Sequence, residues 1–204
     1  FKLPIPHNAQ TGNWKTELEF AGQTFRKWLK IETIKPNRIK IDLDIPDKLV
    51  GTPTQLRGTL SSQYLFGAPA ADLEVEGTAI LNAKELEFES YQDFNFNAPG
   101  DKFAERRKAF LDDKLDQQGE IKLDYKFSQE IKKTNALNAM IKATVYEKGG
   151  NPVTKYKNIE IYPAASIPGI KKPAGRYLKL NETYKFPIII TDLEGQPVSN
   201  HRFK

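Results

Sequence analysis

The sequence predicts an all-β fold: a tandem series of antiparallel β-sandwich domains, one complete and two partial. Three observations indicate this fold class. Apolar and polar residues alternate with a period near two, turn residues separate the alternating runs, and two segments repeat at one offset. Gly67-Ala68-Pro69 recurs 128 residues later as Gly195-Gln196-Pro197, and the same shift carries Leu29–Glu32 onto Lys157–Glu160. Two matches in one register predict repeated domains.

Residues 1–35 are predicted to be the C-terminal strands of a preceding domain. An alternating run, Trp14–Phe20, and a second run, Gln23–Glu32, flank the turn Ala21-Gly22, which predicts a hairpin. The apolar residues of the first run share one face: Trp14, Leu18 and Phe20. Pro36 then marks the crossing to the next domain, because proline cannot donate to a strand ladder.

Residues 37–163 are predicted to be a complete sandwich. Seven alternating runs are its expected strands, the fourth of them open to interruption: Arg38–Ile45, Gln55–Tyr64, Leu73–Leu81, Glu85–Phe96, Glu120–Phe127, Ala136–Glu147 and Pro152–Tyr162. The last two form a hairpin around Lys148–Asn151, whose glycines supply the positive φ of a tight turn. Seven strands in this length fit an antiparallel two-sheet sandwich of immunoglobulin or fibronectin III type.

The stretch Pro99–Gly119 predicts an irregular excursion with one short helix, because its apolar residues fall near helical spacing. Its three carboxylates, Asp112, Asp113 and Asp116, do not have the Asp-x-Asp-x-Asp-Gly spacing of a calcium loop. We therefore interpret them as part of a solvated loop.

Residues 167–204 are predicted to be the N-terminal strands of a following domain. The segment Tyr162–Gly169 is expected to be a proline-punctuated connector. Strands are then expected at Tyr177–Leu180 and Thr183–Thr191, a turn at Asp192–Val198, and the start of another strand at His201–Lys204.

Composition and charge exclude several functions. Residues with hydrophobic side chains make up 39% of the 204, enough for packed cores, and no run approaches the roughly 18 apolar residues of a membrane helix, so we expect no membrane contact by this segment. The charge of +5 comes from 31 basic and 26 acidic residues that are interspersed, which argues against nucleic-acid binding. With no cysteine, thiolate metal sites and cysteine nucleophiles are excluded.

The sequence predicts no enzyme. The two histidines, His7 and His201, have no organised acid or nucleophile beside them, and motifs for serine triads, zinc or phosphate loops are missing. Two sets of carboxylates alternate along predicted strands, and we interpret them as lying on solvated strand faces: Asp42 and Asp44, and Glu85, Glu87 and Glu89. We therefore expect no catalytic, cofactor-binding or metal-binding residues, and no cofactor.

The residues to which the sequence assigns a role are structural: they shape turns and the junctions between domains. Gly67 and Gly195 are predicted to occupy tight turns, with Pro69 and Pro197 fixing the chain where it leaves them. Two further prolines, Pro36 and Pro163, are predicted to stiffen the junctions between domains.

Four segments carry a resemblance to a known family: Asn8–Trp14, Phe25–Arg38, Tyr64–Ala70 and Asp192–Val198. Together they closely resemble consecutive macroglobulin-like domains of bacterial alpha-2-macroglobulins. The resemblance spans nearly the whole chain, is strongest over Asn8–Asp72 and is weakest over Pro99–Gln118. It implies a fibronectin-like sandwich for each domain.

The resemblance also implies a function. Members of the family are broad-range protease traps of the bacterial periplasm or cell envelope, usually lipid-anchored, in which cleavage of a bait segment makes a Cys-x-Glu-Gln thioester reactive. Neither the thioester nor a bait-like stretch is in this sequence. The resemblance therefore implies a non-catalytic scaffold segment, with neighbouring macroglobulin-like domains of the same chain as partners and proteases as trapped targets of the full-length protein.

The sequence also fits one alternative from another class of protein. A tandem β-sandwich is also typical of binding modules in bacterial adhesins and carbohydrate-binding surface proteins. Tyr91, Phe94 and Phe96 would then line an exposed platform on which sugar rings stack, if their side chains do not pack inward.

Overall fold

The computed structural model describes residues 4–6, 9–31, 37–97, 103–127, 136–149, 151–171 and 177–199. Across these ranges the fold is all-β, as the sequence predicts. The strands are β1 Gly12–Phe20, β2 Gln23–Ile31, β3 Ile39–Asp44, β4 Lys48–Val50, β5 Gln55–Tyr64, β6 Glu74–Ala83, β7 Phe94–Asn95, β8 Arg106–Lys114, β9 Glu120–Lys126, β10 Leu137–Tyr146, β11 Val153–Tyr162, β12 Ile167–Lys171 and β13 Ile188–Thr191. A 3₁₀ turn spans Glu89–Tyr91. The chain divides into two compact units, Phe1–Asn37 and Arg38–Lys204.

The first unit contains the predicted hairpin. Strands β1 and β2 pair antiparallel from Gly12 opposite Ile31 to Phe20 opposite Gln23. The connecting residues, Ala21 and Gly22, both have positive φ, of 51° and 76°, as a two-residue hairpin turn requires. The predicted apolar face is present, and its side chains are exposed: Trp14, Leu18, Phe20 and Phe25. Pro36, the predicted crossing point, lies outside the described residues.

The second unit contains a two-sheet sandwich. One sheet has the strand order β4-β11-β10-β6-β8, and the other has the order β3-β5-β9. Every pair is antiparallel except β4 with β11, which is parallel. The alternation along β3 places its isoleucines and Leu43 inward and its charged residues in solvent, because successive side chains of a strand point to opposite faces. The main core lies between the sheets, and its fully buried members include Val75, Val145, Leu56, Leu60, Leu81, Leu137, Ile141, Ile159 and Ile161.

The predicted strand Glu85–Phe96 is wrong. Only Phe94–Asn95 is a strand, and the rest is a loop with the 3₁₀ turn. The apolar residues that suggested a strand are buried or half-buried, but they belong to a second apolar cluster, outside the main core. The period of two therefore predicted correctly that these apolar side chains are buried. It predicted the wrong cluster for them to pack against.

The predicted irregular excursion with one short helix is also wrong. Residues Arg106–Lys114 form β8, an edge strand paired with β6. The register shifts at Gly77/Thr78, which face Leu111 and Ala109, so Phe110 is the extra residue of a β-bulge. A bulge interrupts the period of two, and the adjacent Phe110 and Leu111 then imitate helical spacing. Pairing with β6 decided the structure over local helix propensity.

Three further differences concern short strands. The chain after β3 forms β4, which the sequence did not predict, and β12 occupies part of the predicted connector Tyr162–Gly169. Of the predicted strand Thr183–Thr191 only Ile188–Thr191 is a strand, and Tyr177–Leu180 is not one. Residues His201–Lys204 lie outside the described residues. Short strands of this kind are set by tertiary pairing more than by pattern.

The turn match of the internal repeat is confirmed by hydrogen bonds that recur at the same offset. In the first turn Tyr64 N donates to Ala68 O, Gly67 N to Tyr64 O, and Ala70 N to Ser62 O. In the second turn Asp192 N donates to Gln196 O, Gly195 N to Asp192 O, and Val198 N to Ile190 O. Each donor and each acceptor is displaced by the same 128 residues. The two turns therefore share one backbone structure.

Replacing a core leucine tests the sandwich. Leu60 is fully buried on β5, so we expect Leu60→Ala to lower the free energy of unfolding by about 2 to 5 kcal/mol, through lost transfer energy and a cavity. The matched control is Arg57→Ala on the same strand, where 72% of the side chain is exposed and a change below about 1 kcal/mol is expected. Urea denaturation followed by far-UV circular dichroism measures both, because the two tryptophans, Trp14 and Trp28, lie in the first unit. Equal effects of the two substitutions would contradict this core.

Candidate functional site: a joint after the sandwich

A loop leaves the end of β6 and carries most of the aromatic residues of the site. It is closed at its base by Asn97, whose Oδ1 accepts from the backbone N of Leu86 at 2.9 Å and whose Nδ2 donates to the Leu86 carbonyl at 3.2 Å. Asn95 Nδ2 donates to the Asn97 carbonyl at 2.9 Å. These bonds fix the loop between Leu86 and Asn97, because each satisfies a backbone group that has no ladder partner.

The loop builds a second apolar cluster, which we call the joint core. Its buried members are Leu86, Phe96, Ala136, Tyr162 and Ile167, and the half-buried residues packed on them are Phe88, Tyr91, Phe94, Ile189 and Leu193. The rings meet edge to face: Phe88 and Phe96 have centroids 4.7 Å apart at 84°, and Tyr91 and Phe94 are 5.9 Å apart at 84°. Such pairs add roughly 0.5–1.5 kcal/mol beyond the area that they bury.

The joint core is shared between two parts of the chain. Ile167, Ile189 and Leu193 come from β12, β13 and the turn that follows, while the aromatic loop comes from the sandwich. Backbone pairing crosses the same boundary, since β12 pairs antiparallel with β7, Ile170 opposite Asn95 and Lys171 opposite Phe94. Strands β13, β12 and β7 thus form one sheet that ties the last strand pair to the sandwich.

Two glycines let the backbone approach the rings. A Cβ built on Gly169 would lie 2.4 Å from Phe96 Cε1, and one built on Gly195 would lie 2.5 Å from Phe88 Cδ1. Neither distance can be tolerated by a side-chain carbon without movement of the ring. Gly195 also has a φ of 82°, which residues with side chains rarely adopt.

A charged network borders the joint core. Lys84 Nζ bonds to Glu160 Oε1, and the Tyr162 hydroxyl donates to Glu160 Oε2 at 2.8 Å. Nearby, Lys48 Nζ donates to Glu194 Oε1 at 2.7 Å, which joins β4 to the turn after β13. The Lys48–Glu194 pair is exposed on both sides, so it orients the turn more than it stabilises the chain.

The network shifts three pKa values. Burial and the hydrogen bond to Glu160 raise the pKa of the Tyr162 hydroxyl to about 12. Burial acts to raise the pKa of the Glu160 carboxyl, but the bonds from Lys84 and Tyr162 together outweigh it and lower that pKa. The hydrogen bond to Glu194 raises the pKa of Lys48. At neutral pH the network therefore holds an ionised carboxylate and a neutral phenol.

The residues singled out by the sequence divide between the joint and the turns. Gly67 and Gly195 have φ of 95° and 82°, and Pro69 and Pro197 each form a bridge, with Gln63 and with Thr191. Both glycines are thus in tight turns, as predicted. The Pro163 carbonyl accepts from Thr52 Oγ1 at 3.2 Å.

Other candidates have structural roles or remain outside the described residues. Asp116 Oδ1 accepts from the backbone N of Gln118 and of Glu120, so it caps its own turn, and Asp112 and Asp113 lie on β8. In the described ranges no group of three His, Cys, Asp or Glu side chains is placed to hold a metal ion. Both histidines lie outside those ranges.

The three rings of the alternative binding platform pack inward. Phe96 is buried in the joint core, with Tyr91 and Phe94 packed against it. They therefore do not form an exposed sugar-binding surface. Nor does any helix in the described part of the chain have the length and apolar character of a membrane span.

Sequence reasoning did not find the charged residues of the joint. Lys48 and Lys84 meet Glu194 and Glu160 across separations of 146 and 76 residues, and no local pattern signals such pairs. The aromatic loop had a signal, since five apolar residues lie close together between Leu86 and Phe96. Its near-alternation predicts a strand of the main sandwich, whereas the structure forms a loop there.

This architecture defines the class of the protein: an all-β chain with an immunoglobulin-like two-sheet sandwich of macroglobulin type, joined to the strand pair after it through an aromatic core and a shared sheet. The family follows from comparison. The family model described as the bacterial alpha-2-macroglobulin MG5 domain matches residues 37–163. The chain belongs to the bacterial alpha-2-macroglobulin family.

Curated relatives agree with this family. The chain is 23% identical over 205 residues to an alpha-2-macroglobulin of Xylella fastidiosa (strain Temecula1), covering 98% of this chain and 12% of the relative. It is 27% identical over 175 residues to the alpha-2-macroglobulin of Escherichia coli (strain K12), covering 84% of this chain and 10% of the relative. The chain therefore spans about a tenth of the length of these relatives.

Solved structures agree on the fold. The cryo-EM reconstruction of native E. coli alpha-2-macroglobulin matches with a TM-score of 0.63 at 21% identity, over 97% of this chain and 13% of that one. The crystal structure of trypsin-activated E. coli alpha-2-macroglobulin matches with a TM-score of 0.58 at 22% identity, over 96% of this chain and 14% of that one. The alternative of an adhesin or carbohydrate-binding module is not favoured by these comparisons.

The two equivalent glycines provide a matched test of the joint. Gly195→Ala and Gly67→Ala both place a side chain at positive φ, which costs roughly 1–2 kcal/mol, but only at position 195 does the new Cβ meet a ring. We expect Gly195→Ala to increase amide hydrogen exchange over β12 and β13, and Gly67→Ala to leave exchange there unchanged. Identical exchange in the two variants would contradict the close contact with Phe88.

Alkaline pH tests the buried phenol. The folded-state pKa of Tyr162 lies above the unfolded value of 10.0, so the folded chain holds this proton more tightly. Its contribution to stability is therefore complete below pH 10 and is lost as the pH rises towards about 12. We expect Tyr162→Phe to reduce the fall in unfolding free energy over this window, and Tyr156→Phe, on the same strand but exposed, to leave it unchanged. Urea titrations across that window supply the measurement, and an unaltered slope in Tyr162→Phe would refute the assignment.

Proposed function

We propose that this chain is a non-catalytic scaffold segment of a bacterial alpha-2-macroglobulin-like broad-spectrum protease inhibitor. The observation that carries the proposal is the joint, where one sheet and one apolar core include both the sandwich and the strand pair after it. A protein that traps a protease needs domains whose relative positions are set by such packing. The family membership of the chain supports the same role.

The proposed organisation has three parts: residues 1–35 close a preceding macroglobulin-like domain, residues 37–163 form a complete one, and residues 167–204 begin the following one. The repeat supports this division, because β12 and β13 pair antiparallel and lead into the same turn as β3 and β5 do. The hairpin supports it too. Its apolar face, with Trp14 at 46% and Phe20 at 74% exposed, suits a sheet whose remaining strands belong to another part of the protein.

The partners follow from this organisation. Neighbouring macroglobulin-like domains of the same chain are the direct partners of this segment, and proteases are the targets of the full-length protein. We place the parent protein in the bacterial periplasm or cell envelope, held by a lipid anchor outside this segment. These proposals rest on the family, whose thioester chemistry requires a cysteine that this sequence does not contain.

The scaffold role makes a direct prediction. The chain alone should not protect a large protein substrate from trypsin or elastase, even at tenfold molar excess, because enclosing a protease requires the bait segment and the other domains. Heat-denatured chain at the same concentration controls for simple competition as a substrate. The assay measures release of labelled peptides from the substrate. Stoichiometric inhibition by the folded chain, and not by the denatured one, would overturn the scaffold proposal.

A further inference from the structure

The two repeated turns have the same backbone and different surroundings. We call residues 64–70 the first turn and residues 192–198 the second turn. In the second turn each tip residue makes a contact outside the turn: Leu193 packs on the joint core, Glu194 bonds to Lys48, and Gly195 lies against the ring of Phe88. The second turn is therefore docked on the sandwich that precedes it in the chain.

The first turn has the equivalent tip residues and makes none of these contacts. Leu65 and Phe66 are 67% and 80% exposed, and a Cβ on Gly67 would meet nothing within 4 Å. Phe66 stacks on Tyr64 within the turn itself, with centroids 5.2 Å apart at 17°. Two large apolar side chains thus stand side by side at the tip of a turn with a fixed backbone.

We propose that the first turn is a docking element for the sandwich that precedes residues 37–163, and that it sits there as the second turn sits on the joint core. Leu65 takes the place of Leu193, and Gly67 the place of Gly195. The occupant is an apolar surface of that preceding sandwich, formed by its counterpart of the Leu86–Asn97 loop. This inference rests on the tandem organisation proposed above.

The repeat places the occupant outside this chain. Shifting Phe88 and Lys48 back by the 128-residue offset gives positions before residue 1, so the receiving surface is not among the residues of this sequence. In this proposal the exposed side chains of Leu65 and Phe66 are the surface that the turn presents to that sandwich. One residue also defines the chemistry of the contact: Phe66 stands where Glu194 pairs with a lysine, so the receiving site must be apolar at that point.

The absence of cysteine allows a thiol-labelling test. Phe66→Cys is prepared in this chain and in the same chain extended at its N-terminus by the preceding domain, with any cysteine of the extension replaced by serine. The rate of reaction with a maleimide fluorophore is measured in both. We expect labelling to be at least tenfold slower in the extended protein, because docking covers the turn. Tyr156→Cys, at an exposed position on β11, should react at the same rate in both.

A second probe separates this proposal from the tandem organisation. Trp14→Cys, on the apolar face of the hairpin, should also be protected in the extended protein when the preceding sandwich forms. Protection at position 14, with no protection at position 66 and no slower amide exchange of the first turn in the unsubstituted extended protein, would overturn the docking proposal and leave the tandem organisation standing. Protection at neither position would overturn both. Slower labelling of Phe66→Cys in the short chain at rising protein concentration would assign the turn to self-association instead.

Hydrogen exchange on unsubstituted proteins provides a check free of the cysteine change. Peptides that cover the first turn should exchange more slowly in the extended protein than in the short one. The double variant Leu65→Ser/Phe66→Ser should remove that difference. Equal exchange of the turn in the short and extended proteins would contradict the proposal even if the cysteine variant had disturbed the site.

Discussion

The C-terminal part of the second unit depends on one constraint. The aromatic loop between Leu86 and Asn97 must pack against a partner. The loop between Leu86 and Asn97 has too few strand residues to join the main sandwich core, and its rings would otherwise face water. It is covered by β12, β13 and the second turn, and β12 gains main-chain pairing from β7 in return. The strand pair and the loop therefore stabilise each other, and neither has a complete set of partners alone.

This mutual dependence explains why two positions in the joint require glycine. Gly169 and Gly195 bring backbone within a few ångströms of Phe96 and Phe88, distances that exclude any larger residue without rearrangement. The charged network contributes differently. Glu160 is held ionised between Lys84 and Tyr162 at the edge of the apolar cluster, which fixes the end of β11 next to the point where the chain leaves the sandwich. Packing in the joint core determines how closely the strand pair approaches the aromatic loop. The hydrogen bonds of the charged network determine the orientation of the end of β11.

The repeated turn shows how one local structure serves two environments. Its backbone hydrogen bonds are the same in both copies, so the turn does not need its neighbour in order to form. What differs is the tip, which carries a leucine and a glutamate in the docked copy and a leucine and a phenylalanine in the exposed one. The same backbone turn therefore forms with different tip residues in two different surroundings.

The sequence by itself determined the fold class, the hairpin of the first unit, six of the seven predicted strands of the sandwich and both repeated turns. These follow from local rules: a period of two, positive φ at glycine, and turns that satisfy their own backbone groups. The tertiary structure alone decided that Arg106–Lys114 is a bulged edge strand, that Glu85–Phe96 is mostly a loop, and that Lys48 meets Glu194. Each of these depends on residues far away in the sequence. A pattern shows that a side chain must be buried, but only the folded chain determines what it is buried against.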